Sequence, residues 1–288
     1  MKNPEDKQQI DEYDSPWKEI LELYLREFLA FFLPIAHDNI DWSRNPEFLD
    51  TEMARILPEA QASNRQLDKL VKVWRRDGVE EWLLIHIEIQ GEQEAKFAER
   101  MFTCMYRARD LHQQPVVGLA ILADMRPKWR PFEYHSEVWG TLVTYRFNTF
   151  KLLDYIGREA ELEASDNPFA IVTMAHLRAK QTKHKYQERY QSKMQIIRRL
   201  YQSGYTHQQI VHLFLFIDWV MWLPKELDQQ LWIHIGQFEE NKKMRYMSSI
   251  ERIGIEKGIE QGKKGKPAFC FVNFIGVFPN YPIGSPRR

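Results

Sequence analysis

A chain of 288 residues with 40 Lys plus Arg against 40 Asp plus Glu has no formal net charge, which excludes polyanion binding by bulk electrostatics and leaves only a local basic patch for it. Apolar residues at 44% and charged residues at 28% give a globular balance, enough for a sizeable core in one large or two small domains. Cys104 and Cys270, the two cysteines, have no metal-ligand spacing, which argues against a disulfide framework and suits a reducing cytoplasm.

The N-terminus is polar, and residues 1–13 read as a disordered tail without a secretory signal. The apolar run ILELYLREFLAFFLP carries Glu22, Arg26 and Glu27, so it is too short and too charged to span a bilayer. The expectation is a cytoplasmic protein with no membrane segment. A helix starts near Asp14 or Ser15, either of which suits a cap, and Pro34 closes it. Ile20, Leu23, Tyr24, Phe28 and Phe31 fall at helical spacing along it. After a loop with Asp41-Trp42, a short helix is expected over 48–57, ended by Pro58. Residues 67–74 read as a strand, Asp77-Gly78 as a hairpin turn and 82–90 as the return strand. An amphipathic helix over 92–114 and a buried strand over 115–124 follow, with further β-rich pieces at 132–139 and 142–151.

From about residue 156 the pattern turns helical. Asn167 and Pro168 open one helix, and others cover YQSKMQIIRRLYQ, THQQIVHLFLFIDWVMWL and 225–247. The organisation read from the chain is a mixed α/β region over 14–155 and a helical region over 156–265. Gly254, Gly258 and Gly262 recur every four residues, and then the composition changes abruptly. Residues 266–288 are aromatic, apolar and without helical period, and read as a tail added by an altered reading frame or an early truncation.

The stretch LLIHIEIQG alternates Ile85, Ile87 and Ile89 with His86, Glu88 and Gln90. Such alternation commonly means a strand with one wet face. A sharper reading comes from the preceding strand. A turn of three residues (77–79) or five (76–80) fixes the index sum of opposed residues at 156, which sets Asp68 against Glu88 and Gln66 against Gln90. Opposed side chains have Cβ atoms about 5 Å apart, and two carboxylates there repel unless a cation or proton lies between them. Mg²⁺ suits such a pair, because it takes one or two carboxylates and completes its shell with water and substrate phosphate. That chemistry is metal-assisted phosphodiester hydrolysis. Gln90, on the same face, is placed to orient a water or a phosphate oxygen but carries no charge. His86 lies on the far side of Glu88 and reads as a packed histidine; Trp74, Trp82 and Trp129 read as core residues.

Asp68, a hairpin and then Glu88-Ile89-Gln90 resemble the PD-(D/E)XK nuclease superfamily. More narrowly, DSPWKEIL, IDW, FLDTE, LDKLVKVW, HIEIQ, FAERMFTCMYRARD, NPFAIVTMAHL, FIDWVMWLP and IERIGIEKGIEQG resemble the bacterial recombination-promoting nucleases and their transposase relatives. These stretches cover residues 14 to 265. The resemblance implies a restriction-endonuclease-like α-β-β-β-α-β core with a mixed sheet, an α/β fold followed by an all-helical C-terminal region. It implies a Mg²⁺-dependent DNA endonuclease, with Asp68, Glu88 and the carbonyl of Ile89 as metal ligands. Gln90 stands where the superfamily usually has lysine, so the positive charge falls to Lys96 or Arg100 on the next helix. Glu19 is the candidate for an accessory acid from the first helix, and double-strand cleavage by one site per chain implies a homodimer.

Arg178, Lys180, Lys183, Lys185, Arg189, Lys193, Arg198 and Arg199 form a basic run that reads either as a DNA-phosphate track or as a solvated helix face. The competing function is a nucleic-acid-binding or interaction protein that keeps the fold without the chemistry.

Overall fold

The computed structural model describes residues 14–49, 67–76 and 82–242, and of residues 14, 15, 67 and 68 the backbone alone. The chain starts with α1 (Asp14–Leu23) and α2 (Leu25–Phe32), separated at Tyr24, whose N–H still bonds to the carbonyl of Ile20 at 3.1 Å. Pro34 stops the helical run as expected but also starts α3 (Pro34–Asn39). A proline at the first helical position has no N–H to leave unsatisfied, so it serves as both breaker and starter.

The helix expected over 48–57 is corrected at its first residue, while 50–57 lie outside the described residues. Phe48 belongs to β1 (Glu47–Phe48) and pairs with Val71. Phe48 and Leu49 pack into different apolar clusters, on opposite sides of the sheet, and this period of two outweighs the helical spacing. Next come β2 (Leu67–Trp74), β3 (Trp82–Gln90), α4 (Phe97–His112) and β4 (Val116–Leu122). The hairpin of β5 (Glu133–Val138) and β6 (Thr141–Arg146) precedes β7 (Asn148–Lys151) and a 3₁₀ turn at Leu152–Tyr155. The helical region supplies α5 (Glu159–Ala164), α6 (Pro168–Gln181), α7 (Tyr186–Gln202), α8 (His207–Val220) and α9 (Lys225–Lys242).

The main sheet runs β1-β2-β3-β4-β7. The first three strands are antiparallel, whereas β3–β4 and β4–β7 are parallel. A parallel neighbour requires a crossover, and α4 provides it between β3 and β4. The fold is therefore a mixed α/β sheet with helices, followed by a helical C-terminal region.

The two faces of the sheet are covered differently. Ile85, Ile87, Ile89, Val71, Val73, Leu119 and Ile121 share one buried cluster with Trp17, Phe28, Phe169, Phe214 and Trp232. Residues from before and after position 156 thus build a single core. At its centre lies α6, with eleven of 14 residues buried, as befits a helix apolar on nearly all sides. Its start is fixed twice by Asn167, whose side chain accepts from the Phe169 N–H at 2.9 Å and donates to the carbonyl of Glu27 at 2.8 Å. Thr206 and Gln209 form a reciprocal capping box at the start of α8. On the other face of the sheet, α4 seats Phe97, Met101, Cys104 and Ala108 against Leu70, Leu84, Ala120 and Leu122. Among the described residues no helix is long and apolar enough to cross a membrane. The glycine repeat and residues 266–288 lie outside the described residues.

Candidate active site beneath helix α4

The ladder between β2 and β3 has an index sum of 156, pairing Asp68 with Glu88 and Leu67 with Ile89. The turn residues, Gln66 and the side chain of Asp68 lie outside what is described, so the opposition is one of backbone register. The wet face expected for β3 is corrected. His86 and Glu88 are 0% exposed and Gln90 is 8% exposed, because β3 lies between β2 and β4 and α4 crosses over this face. The apolar stripe of α4 that seals Leu84 and Ala120 encloses the polar row between them.

One turn into α4, Arg100 descends onto that row. Its Nη2 donates to Glu88 Oε1 at 2.6 Å and to Gln90 Oε1 at 3.0 Å, while Nη1 bonds to Glu94. Gln90 is held from its other end as well, since Nε2 donates to the carbonyl of Glu92 at 2.8 Å. Its amide therefore braces Arg100, and its main-chain carbonyl accepts from the Ala123 N–H at 2.8 Å, tying β3 to the end of β4.

Two polar atoms of this group have no hydrogen-bond partner among the described residues: Glu88 Oε2 and Arg100 Nε. His86 Nε2 approaches Glu88 Oε2 only to 3.9 Å, beyond hydrogen-bond length. Leaving a buried carboxylate oxygen unpaired costs on the order of 1–3 kcal/mol, more for a charged group, so such an atom in a finished fold asks for a water or a ligand.

The remaining candidates separate. Ile89 sends its side chain into the large core on the opposite face, so only its main-chain carbonyl is left as a ligand. Lys96 is exposed at the start of α4. Glu19 belongs to α1, whose Trp17, Ile20 and Leu21 pack on the isoleucine side, so the sheet separates that helix from the Glu88 face. On that same side the neighbouring Glu22 pairs with the buried Lys69.

The basic run does not form one surface. Arg189 is turned inward, donating to the carbonyls of Ala179 at 2.9 Å and Trp222 at 3.1 Å. Lys193 is 0% exposed and its Nζ lies 2.6 Å from Asp218. Arg199 donates to the carbonyls of Leu162 and Ser165 at 3.2 and 3.4 Å. Lys183 and Arg198 stay exposed, and so does Lys185, 3.1 Å from Glu188. Burial lowers the pKa of Lys180, with the charges of Glu92 and Asp124 opposing the shift.

A second buried ion pair lies just beyond β4 and is missed by reading the sequence. Asp124 Oδ2 accepts from Lys151 Nζ at 2.7 Å, Oδ1 accepts from the Arg126 N–H at 2.7 Å, and Lys151 also reaches the carbonyl of Trp129 at 3.1 Å. The only signal was an acid ending the apolar run LAILAD. Beside it His176 donates through Nε2 to the carbonyl of Ala123 at 2.9 Å, and burial holds the imidazole neutral with its pKa pushed down to about 3.

Compared with known proteins, the chain matches no family model, no curated protein and no solved structure.

Proposed function

We propose that this chain is a metal-dependent DNA endonuclease acting at the Glu88 carboxylate, with a role in recombination or transposition carried over from the resemblance in its motifs. One observation carries the reading. Glu88 is fully buried at mid-sheet, in register with Asp68, with one oxygen braced by Arg100 and the other without a hydrogen bond among the described residues.

The residues fit a hard divalent cation. Among the described residues no group of three or more His, Cys, Asp or Glu is set to hold a metal. Mg²⁺ needs only one or two carboxylates, with the rest of its shell from water and phosphate. Glu88 Oε2, Asp68 and the carbonyl of Ile89 would hold it. Such an ion supplies Lewis acidity toward a phosphoryl oxygen and lowers the pKa of a bound water. The chain's own part is positional. Arg100 fixes the Glu88 carboxylate through Oε1 and brings the positive charge that Gln90 lacks. Glu94 and Gln90 hold the guanidinium in place. Cutting both strands would use a homodimer.

The competing reading, a protein that binds nucleic acid or a partner without cutting, draws on the closure of the site, since Glu88 is fully enclosed and Gln90 nearly so. Plasmid cleavage at low salt separates the two, with Mg²⁺ against EDTA and Glu88→Ala beside the wild type. Nicking that needs both the metal and Glu88 is the expected result. A folded wild type that fails to cut with every divalent ion tried leaves the binding reading in its place.

A further inference from the structure

The hairpin β5–β6 projects from the α4 side of the molecule and ends in the tightest loop available to it. Val138 pairs with Thr141, leaving Trp139 and Gly140 as a two-residue turn. Both have positive φ, +50° and +81°, as a type I′ turn requires. Glycine adopts that conformation freely, and Asn or Asp tolerate it. A tryptophan there is an outlier, because its Cβ crowds the following carbonyl.

No contact among the described residues compensates for this strain. Trp139 is 101% exposed, and the neighbouring Val138 and Leu142 are 58% and 57% exposed. The base of the arm, by contrast, is firmly mounted. Phe102 of α4 stacks on Tyr134 at 4.8 Å and 11°, and Arg146 donates to Glu133 at 2.5 Å. Tyr145 is half-buried, with its hydroxyl enclosed against Gly118, where it would lie 2.2 Å from any added Cβ. A rigid arm that holds a strained, bare tryptophan at its tip has the character of a contact element, since local strain of this kind collects at functional positions.

The proposed function and the local charge select the occupant. Over residues 126–146 there are four cations, Arg126, Lys128, Arg130 and Arg146, against two acids, Glu133 and Glu137; Arg146 is paired with Glu133 and Arg130 with Asp154, which leaves Arg126 and Lys128 against Glu137. Phe102 and Arg100 share helix α4, so the arm is fixed relative to the Glu88 carboxylate. We propose that Trp139 is a stacking wedge for an unpaired nucleobase, which makes the preferred substrate a single strand or a locally opened duplex. The proposal rests on the nucleic-acid reading above and deepens it. Every base offers a π-face, so such a wedge selects strandedness and not sequence.

The test is anisotropy of a fluorescein-labelled oligothymidylate and of a blunt duplex, with the full chain in EDTA so that no cutting intervenes. Trp139→Asn and Trp139→Ala are compared with wild type. Single-strand affinity is expected to fall about tenfold in both variants, with the duplex hardly affected. The melting temperature of Trp139→Asn should equal or exceed that of wild type, because Asn tolerates the turn. Unchanged single-strand affinity overturns the wedge, as does a wild type that binds neither oligonucleotide. Light scattering that shows a dimer lost with the tryptophan, at constant DNA affinity, assigns the arm to a second copy and also overturns it. A wild type that binds single strands through Trp139 yet never cuts leaves the wedge standing and removes the nuclease reading.

Discussion

Two buried ion pairs lie against one sheet, Glu88–Arg100 between β3 and α4 and Asp124–Lys151 between the end of β4 and β7, and are built on opposite principles. Around Asp124 and Lys151, both carboxylate oxygens have donors, and the ammonium has a carbonyl besides. Around Glu88 and Arg100, three acceptors converge on the guanidinium, yet Glu88 Oε2 and Arg100 Nε lack hydrogen bonds among the described residues. The first pair is closed on itself and locks the segment after β4 to β7. The second has capacity left over in the place where the chemistry is proposed. Burial and charge are alike in the two cases, so neither identifies a site. Unused hydrogen-bonding capacity is what distinguishes the two.

Substitutions that remove one member of each pair test this contrast most strongly. Asp124→Ala leaves Lys151 buried without its counter-charge and is expected to lower the unfolding free energy by about 3–5 kcal/mol in urea. Glu88→Ala should cost clearly less, because Arg100 retains Gln90 and Glu94. Equal losses would mean that Glu88 is as structural as Asp124. Arg100→Ala should reduce Mg²⁺-dependent cleavage roughly 10²-fold or more, the typical effect of losing one preorganised donor, with Arg100→Lys falling between. If the Arg100→Ala protein cuts normally, the guanidinium is only a brace. Without DNA, Mg²⁺ at about 100 times its Kd should stabilise the wild type by about 2.7 kcal/mol, and Glu88→Ala should show no such gain in thermal unfolding.

A third cluster, in the helical region, sharpens the comparison through pH. Lys193 Nζ lies 2.6 Å from Asp218 and 4.0 Å from Asp228. Burial first, and then the Asp218 charge, raise the pKa of Asp228 to about 6. Between its unfolded value near 4 and about 6, the folded chain therefore holds more protons than the unfolded chain. The contribution of Asp228 to stability falls as pH rises through that window. Asp228→Asn should be more stable than wild type at pH 7 by on the order of 1–2 kcal/mol, and the difference should vanish toward pH 4. Denaturant curves at the two pH values check it. The smallest effect is expected at Asn167→Ala, about 1 kcal/mol for the lost cap on α6.

The register of Asp68 against Glu88 was legible from the sequence because hairpin arithmetic needs only the strand phase and the parity of the turn. The alternation in 82–90 gave the strand and its two faces. What alternation cannot give is the cover. The wet face became a buried one because α4 returns over it, and nothing local to HIEIQ encodes that return. The basic run misled for a similar reason. Arg189 and Lys193 look like a charged helix face in sequence, yet their partners, the Trp222 carbonyl and Asp218, come from 25 to 33 positions further on. The Trp139-Gly140 turn escaped because its first residue is one that turns disfavour. Phe48 was read as helical when two separate apolar clusters pull it and Leu49 to opposite sides.

The central position of α6 has a consequence for the order in which the chain is made. The sheet and the helices α1 and α2 that pack on its isoleucine face are complete once Lys151 has been synthesised, but α6, which buries the apolar surface they share, ends at Gln181. At ribosomal rates of roughly 5–20 residues per second, that apolar surface waits some seconds for its lid. During that interval the nascent chain is a client for holding chaperones and is exposed to misassembly. A gene cut near residue 155 would make the wait permanent, yielding a sticky fragment and not a minimal domain.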